Sequence, residues 1–235
     1  MDISKLITIV IPSYNEEKYI YNTLKFISNQ EFEGKIKVII ADGNSSDGTL
    51  SKVFRAKNDF KNLNIKLIKG GSVSYGRNEG AKLVKTPYII FIDADSILIE
   101  NDIFLETLKY KDTHSIITCK QTSLSTNLKS ELIWKSFNFI REIIPESFST
   151  GCYFFIHTNV FNKLGGFDET LSNSEDFWLS KQIPKKYFKI IDKHVGQDDR
   201  RFKKMGYLNF IYITIKNYLN KNNKDYFTKD IGYWI

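Results

Sequence analysis

Apolar residues in the first 95 positions fall in short, nearly continuous runs rather than in an alternating pattern. Residues 6–11, 36–41, 65–68 and 88–92 are dominated by Ile, the composition of strands covered on both faces. Between them, 16–29 sets Ile20, Leu24 and Ile27 on one helical face, 47–57 opens on Asp47 as a cap, and 76–84 reads as a short helix. Strands and helices alternate through all four runs. That order predicts an α/β fold with a mixed, mostly parallel sheet flanked by helices, and makes residues 1–96 a nucleotide-binding half.

Beyond residue 95 the pattern loosens. A helix is expected at 101–110, a strand at 115–119, a helix at 131–141, a strand at 153–156, a helix at 173–182 and a strand at 187–191. Helical segments follow from 198. The polar, Ser/Thr-rich stretch 121–130 reads as a loop, either a lid or a plain connector.

Composition narrows the class. With 235 residues, 42% of them hydrophobic, the chain can bury one sizeable core and needs no second domain. Cys119 and Cys152 lie in apolar stretches, which fits buried thiols in a reducing compartment, hence a cytoplasmic protein. Residues 1–5 lack the features of a leader peptide. The apolar stretch 207–219 is broken by Asn209, Lys216 and Asn217 and is shorter than the ~20 residues that span a bilayer. The net charge of +7 suits an anionic ligand or an anionic membrane surface. Without zinc-finger spacing, an RNA-binding signature or a long basic arm, no nucleic-acid partner is expected.

The chemistry is concentrated where the strands end. Asp93-Ala94-Asp95 closes the fourth run, and two carboxylates at the end of a rigid strand repel each other unless a cation joins them. A solvated turn is the alternative for that tripeptide alone. It is preceded by Pro12-Ser13-Tyr14-Asn15-Glu16, by Ala41-Asp42-Gly43-Asn44-Ser45-Ser46-Asp47-Gly48-Thr49 and by Gly76-Arg77-Asn78-Glu79-Gly80. Gly165-Gly166-Phe167-Asp168-Glu169 and Ser174-Glu175-Asp176-Phe177-Trp178 come after it. In this order, across residues 6–182, the six segments closely resemble the family 2 glycosyltransferases of the GT-A fold.

The resemblance implies a single-domain GT-A enzyme over 1–197, with a nucleotide-sugar half at 1–96 and an acceptor half at 97–197. A basic, aromatic-rich helical segment follows at 198–235. It implies inverting transfer of one sugar from a nucleotide-diphosphate sugar, UDP- or GDP-linked, to a hydroxyl on a saccharide or lipid-linked acceptor. A polyprenyl-phosphate sugar synthase and an inactive nucleotide-binding module remain the other readings. Pro12, Tyr14, Glu16, Asp42, Arg77 and Asp93 would hold the nucleotide, with the Tyr14 ring as a stacking face and Arg77 reaching a carbonyl or phosphate. Asp95 would contact Mg2+ or Mn2+ directly, and Asp93 would contact the ribose or reach the metal through a water; hard carboxylate oxygens suit either ion.

Asp176, with Glu175 as fallback, would be the catalytic base, its place in a first helical turn favouring the ionised form. Trp178 reads equally as an acceptor platform or as core. His194 would complete the metal site or be structural. Arg200 lies where processive relatives carry Gln-x-x-Arg-Trp, but no tryptophan follows, which puts processivity in doubt; Arg200 would bind the diphosphate or line a solvated face. The helix at 202–219 would dock on an anionic membrane, close the core or form a dimer interface.

Overall fold

Along β1 (Ile7–Ser13) every residue is buried, and successive side chains serve two different cores. Ile7, Ile9 and Ile11 join a cluster with Ile20 and Leu24, whereas Val10 packs with Ala81 and Phe91 on the opposite face. A strand buried on both sides needs apolar residues at every position, and that is why the sequence shows runs instead of alternation. The computed structural model describes residues 2–229, so positions 230–235 of the expected C-terminal segment lie outside the described residues.

The first half follows the expected order: β1, α1 (Ile20–Ser28), β2 (Ile36–Asp42), α2 (Thr49–Asp59), β3 (Leu63–Lys69), α3 (Val73–Lys82) and β4 (Tyr88–Phe91). The second half contains β5 (Ile97–Leu98), α4 (Ile103–Leu108), β6 (Ile116–Ser123), α5 (Leu128–Ile143), β7 (Phe154–His157) and α6 (Thr158–Lys163). It continues with α7 (Glu175–Ser180), β8 (Phe188–Gln197), α8 (Arg200–Met205), α9 (Tyr207–Leu219) and α10 (Lys224–Phe227). These strands form one sheet in the order β3-β2-β1-β4-β7-β6-β8-β5. β1 to β4 are parallel; β7 runs antiparallel between β4 and β6, and β5 antiparallel at the β8 edge. The mixed, mostly parallel sheet flanked by helices that the sequence predicts is the architecture observed.

The departures have local causes. β6 and β8 run on as far as Ser123 and Gln197, across polar residues that mask a strand pattern, with a register shift between Cys119 and Lys120. The polar loop therefore shrinks to residues 124–127, and Asn127 caps α5 by accepting from the Lys129 N–H. β5 and α6 are too short for periodicity to reveal. Asp47 lies one residue before the N-cap of α2, which is Gly48, and accepts from the Thr49 N–H at 3.0 Å. Phe202 of α8 and Phe210 of α9 pack on Trp134 of α5, which ties the C-terminal helices to the second half of the fold.

Close approach of α3 to the sheet depends on one residue without a side chain. A Cβ at Gly80 would run into Val10 Cγ1 in the centre of β1. Gly80→Ala is expected to lower unfolding stability by about 1–3 kcal/mol, the cost of overpacking a filled core, as read from urea denaturation midpoints. An unchanged midpoint would show that α3 can shift away freely.

Candidate active site

The order 3-2-1-4 reverses between β1 and β4, and the residues after these parallel strands face the crevice opened there. Ser13 pairs with Asp42, so the first two motifs emerge side by side. Pairing of β1 with β4 ends at Val10, and by alternation Pro12 points to that vacated side, where its missing N–H costs no ladder bond. Asn15, in the left-handed region at φ 53°, is bound to the second motif twice: its N–H donates to Ser45 Oγ, and its side chain accepts from the Ser46 N–H. This turn leaves the Tyr14 ring 61% exposed beside buried Asp42. Asp42 accepts from the Ser45 N–H and hydroxyl at 2.9 and 2.6 Å, which fixes its carboxylate at the crevice floor.

Two arginines organise the remaining carboxylates. Arg77, only 1% exposed, donates from Nη2 to Asp93 at 2.6 Å and from Nη1 to buried Glu175 at 2.5 Å. Its guanidinium also lies 5.0 Å from the centre of the Phe167 ring. Arg200 Nη2 bridges Asp95 at 2.6 Å and Glu16 at 2.8 Å, with Nη1 giving Glu16 a second bond at 3.0 Å. Burial raises the Asp95 and Glu16 carboxyls above their ordinary range, against the pull of Arg200.

Asp176 stands next to this network. Its carboxylate accepts from the Gly151 N–H at 2.8 Å and from the Phe177 N–H at 2.7 Å. Burial and the adjacent Glu175 nevertheless push its pKa up to about 7, with Arg77 opposing. The helix-start position alone had favoured the ionised form; desolvation outweighs it. Gly151 passes directly over the pair below, and a Cβ there would strike Arg77 Nη2 and lie 2.9 Å from both Asp93 oxygens.

Several expected roles change with these positions. Arg77 was expected to reach the nucleotide or to lie on an exposed helix face; it is buried, with both Nη groups already engaged by carboxylates. His194 is not brought to the Asp pair: its backbone N–H and ring Nδ1 are both held at 2.8 Å by Glu100 near the β8 edge. Trp178, half-buried, packs against Phe227 with Lys181 Nζ 3.2 Å from its ring centre, and lines a cavity with Gly165, Gly166, Phe167 and Asp168.

Other residues escaped the sequence reading. Asp199 accepts from Ser123, Ser125 and Ser130, and so anchors the start of α8 from which Arg200 reaches Asp95. Asn78 clamps the Phe167 backbone through both its N–H and its carbonyl, at 2.9 Å each. The cluster of Ser123, Ser125 and Ser130 before a basic helix, and Asn78 beside Arg77, were the available signals.

Asp95 and Asp93 provide oxygen donors suited to a hard divalent ion. The Arg200 guanidinium lies between Asp95 and Glu16 and partly offsets their charge. Among the described residues no group of three or more His, Cys, Asp or Glu side chains is placed to hold a metal, so an ion at the Asp pair would need ligands from outside the protein.

The family model for glycosyl transferase family 2 matches residues 8–165. The chain belongs to that family. Its first motif, Asp pair and Gly151 all lie within the matched region, and Asp176 and Arg200 lie beyond it. An uncharacterized glycosyltransferase, YfnE of Bacillus subtilis strain 168, is 27% identical over 112 residues, 48% of this chain and 29% of that protein. The mannosyltransferase PcManGT of Pyrobaculum calidifontis, solved with GDP-Man and Mn2+, superposes with TM-score 0.67 at 18% identity, covering 89% of this chain and 64% of that one. TarS 1–349 of S. aureus with UDP gives 0.60 at 18% identity, covering 82% and 60%. These superpositions show that the fold is shared. The chain spans about a third or less of the first curated relatives it matches.

Removing the Arg77 cation strands Glu175, which is 4% exposed, as an uncompensated buried charge. Arg77→Met is expected to cost about 3–5 kcal/mol in urea unfolding, and adding Glu175→Gln to recover a large part of it. No recovery in the double variant would show that the pair is not the source of the loss.

Proposed function

We propose that the chain is an inverting, divalent-metal-dependent glycosyltransferase that moves one sugar from a nucleotide-diphosphate sugar to an acceptor hydroxyl. The observation that carries this reading is the single buried network in which Arg77 joins Asp93, the donor-side carboxylate, to Glu175, the neighbour of Asp176. Donor anchor and base thereby share one rigid frame, as in-line displacement requires. A UDP complex and a GDP-Man complex among the solved relatives support a nucleotide at the Tyr14–Asp42 crevice.

In this mechanism the Tyr14 ring stacks on the base and Asp42 accepts from the base or ribose. Asp93 reaches the ribose, and Asp95 would hold the divalent ion. When bound, the divalent ion neutralises charge that builds on the departing diphosphate. Arg200, released from Asp95 and Glu16, is within the same loop cluster to meet a phosphate. Asp176 takes the acceptor hydroxyl proton as the oxygen bonds to the anomeric carbon and the bond to the diphosphate breaks, through an oxocarbenium-like transition state. A base with pKa about 7 is well matched to neutral pH.

The direct test is turnover across a panel of nucleotide sugars, with the anomeric configuration of the product followed by NMR. An inverted product is expected, and a retained one overturns the mechanism. Because the Asp176 pKa is raised, its basic form is lost as pH falls through about 7, so kcat/KM should drop toward tenfold per unit on the acid side. Asp176→Asn should cut kcat by about 10²–10⁴ and abolish that limb. Near-normal turnover in the variant would favour a phosphate acceptor, as in a polyprenyl-phosphate sugar synthase, which needs no strong base.

Metal dependence is read separately by calorimetry. UDP or GDP should bind in the presence of Mn2+ and weaken at least tenfold on chelation or in Asp95→Asn, the loss of about one charge-assisted contact. Binding that ignores the ion would remove the metal from the proposal.

A further inference from the structure

The C-terminal helices carry a pattern that the active site does not use. Residues 200–224 contain seven of the 34 Lys and Arg side chains and no Asp or Glu. The rest of the sequence therefore balances, 27 basic against 27 acidic residues, and the whole +7 charge resides in this one segment. Arg200, Lys221 and Lys224 are paired with carboxylates from elsewhere in the fold. Lys203 and Lys204 on α8 and Lys216 on α9 are exposed.

The outer face of α9 is apolar. Leu208, Tyr212, Ile215 and Leu219, spaced i, i+4, i+7 and i+11, form one stripe, with Leu208 85% and Leu219 78% exposed. Phe210 points the other way, into Trp134. A surface helix normally carries its polar residues outward, so this helix is inverted. On α5, which contacts α9 through that Trp134–Phe210 pair and through Ser130 to Tyr207 at 3.0 Å, the residues Leu128, Leu132, Phe139 and Ile143 make a second exposed stripe.

Charge decides what covers these stripes. A second copy would set the exposed Lys203, Lys204 and Lys216 against their own like, since a two-fold contact is self-facing. An anionic lipid surface complements both the apolar stripe and the lysines beside it. With 13 residues, α9 is too short to cross a bilayer, and no described helix is long and apolar enough to do so. We propose that α8 and α9, with the outer stripe of α5, form a docking surface for an anionic bilayer. α9 lies along the membrane plane, its stripe in the headgroup–acyl boundary and Lys203, Lys204 and Lys216 against lipid phosphates.

The test is co-sedimentation of the full chain with vesicles of phosphatidylcholine alone and of phosphatidylcholine mixed with phosphatidylglycerol. Pelleting is expected with the mixed vesicles only, and should fall as salt is raised. Lys203→Gln with Lys204→Gln should weaken partitioning about 25-fold, near fivefold per lysine. Ile215→Ser with Leu219→Ser should weaken it more than tenfold. All four side chains lie outside the core, and unchanged circular dichroism and nucleotide binding would confirm that each variant is folded. Equal pelleting with both vesicle types, or no loss in the lysine variant, overturns the proposal. So does failure to pellet at all, or a concentration-dependent dimer in sedimentation velocity that Leu219→Ser abolishes.

Discussion

The buried Arg77 guanidinium is the constraint on which the site depends. Glu175 can lie in the interior only because a cation faces it, and the same cation fixes Asp93 on the donor side. Those two partners stand 16 and 98 residues away along the chain, so one side chain joins motifs from opposite halves of the sheet. Its neighbour Asn78 clamps the Phe167 backbone, and the Phe167 ring stacks beneath the guanidinium. α3 thus acts as a hub: its glycines let it approach the sheet, and its polar residues then gather the later motifs around it.

Around this hub the site is short of positive charge. Glu16, Asp93, Asp95, Glu175 and Asp176 gather around Arg77 and Arg200, with Arg201 adding positive charge near Asp95, five carboxylates against three guanidiniums. Burial pushes up the carboxyls of Glu16, Asp95 and Asp176 against the pull of these arginines. In the proposed mechanism the same excess of carboxylate serves twice, raising the proton affinity of the base and favouring an added cation.

Much of the first half was legible because its physics is local. Runs such as 36–41 and 88–92 are apolar at nearly every position, and β2 and β4 follow them closely. β6 and β8 were cut short in the reading because Lys120, Asp192 and Lys193 interrupt the apolar signal on a sheet edge that solvent reaches. The residues of the site were visible as motifs, but their partners were not. Whether Arg77 is exposed or buried, and whether His194 meets Asp95 or Glu100, depends on contacts that the local pattern does not encode. Gly151 was invisible for the same reason, since its importance is the absence of a side chain above a pair formed elsewhere.

The bond from Arg200 to Glu16 joins positions 184 residues apart, nearly the two ends of the described chain. Loop closure on that scale carries a large entropic cost, so the contact forms only after the sheet between has assembled. A chain growing on a ribosome can complete the β1–β4 crevice and the Asp pair long before residue 200 emerges. Arg200 is thus the last of the site's paired charges to be made, and its bridge between Glu16 and Asp95 is the last of these contacts to become available.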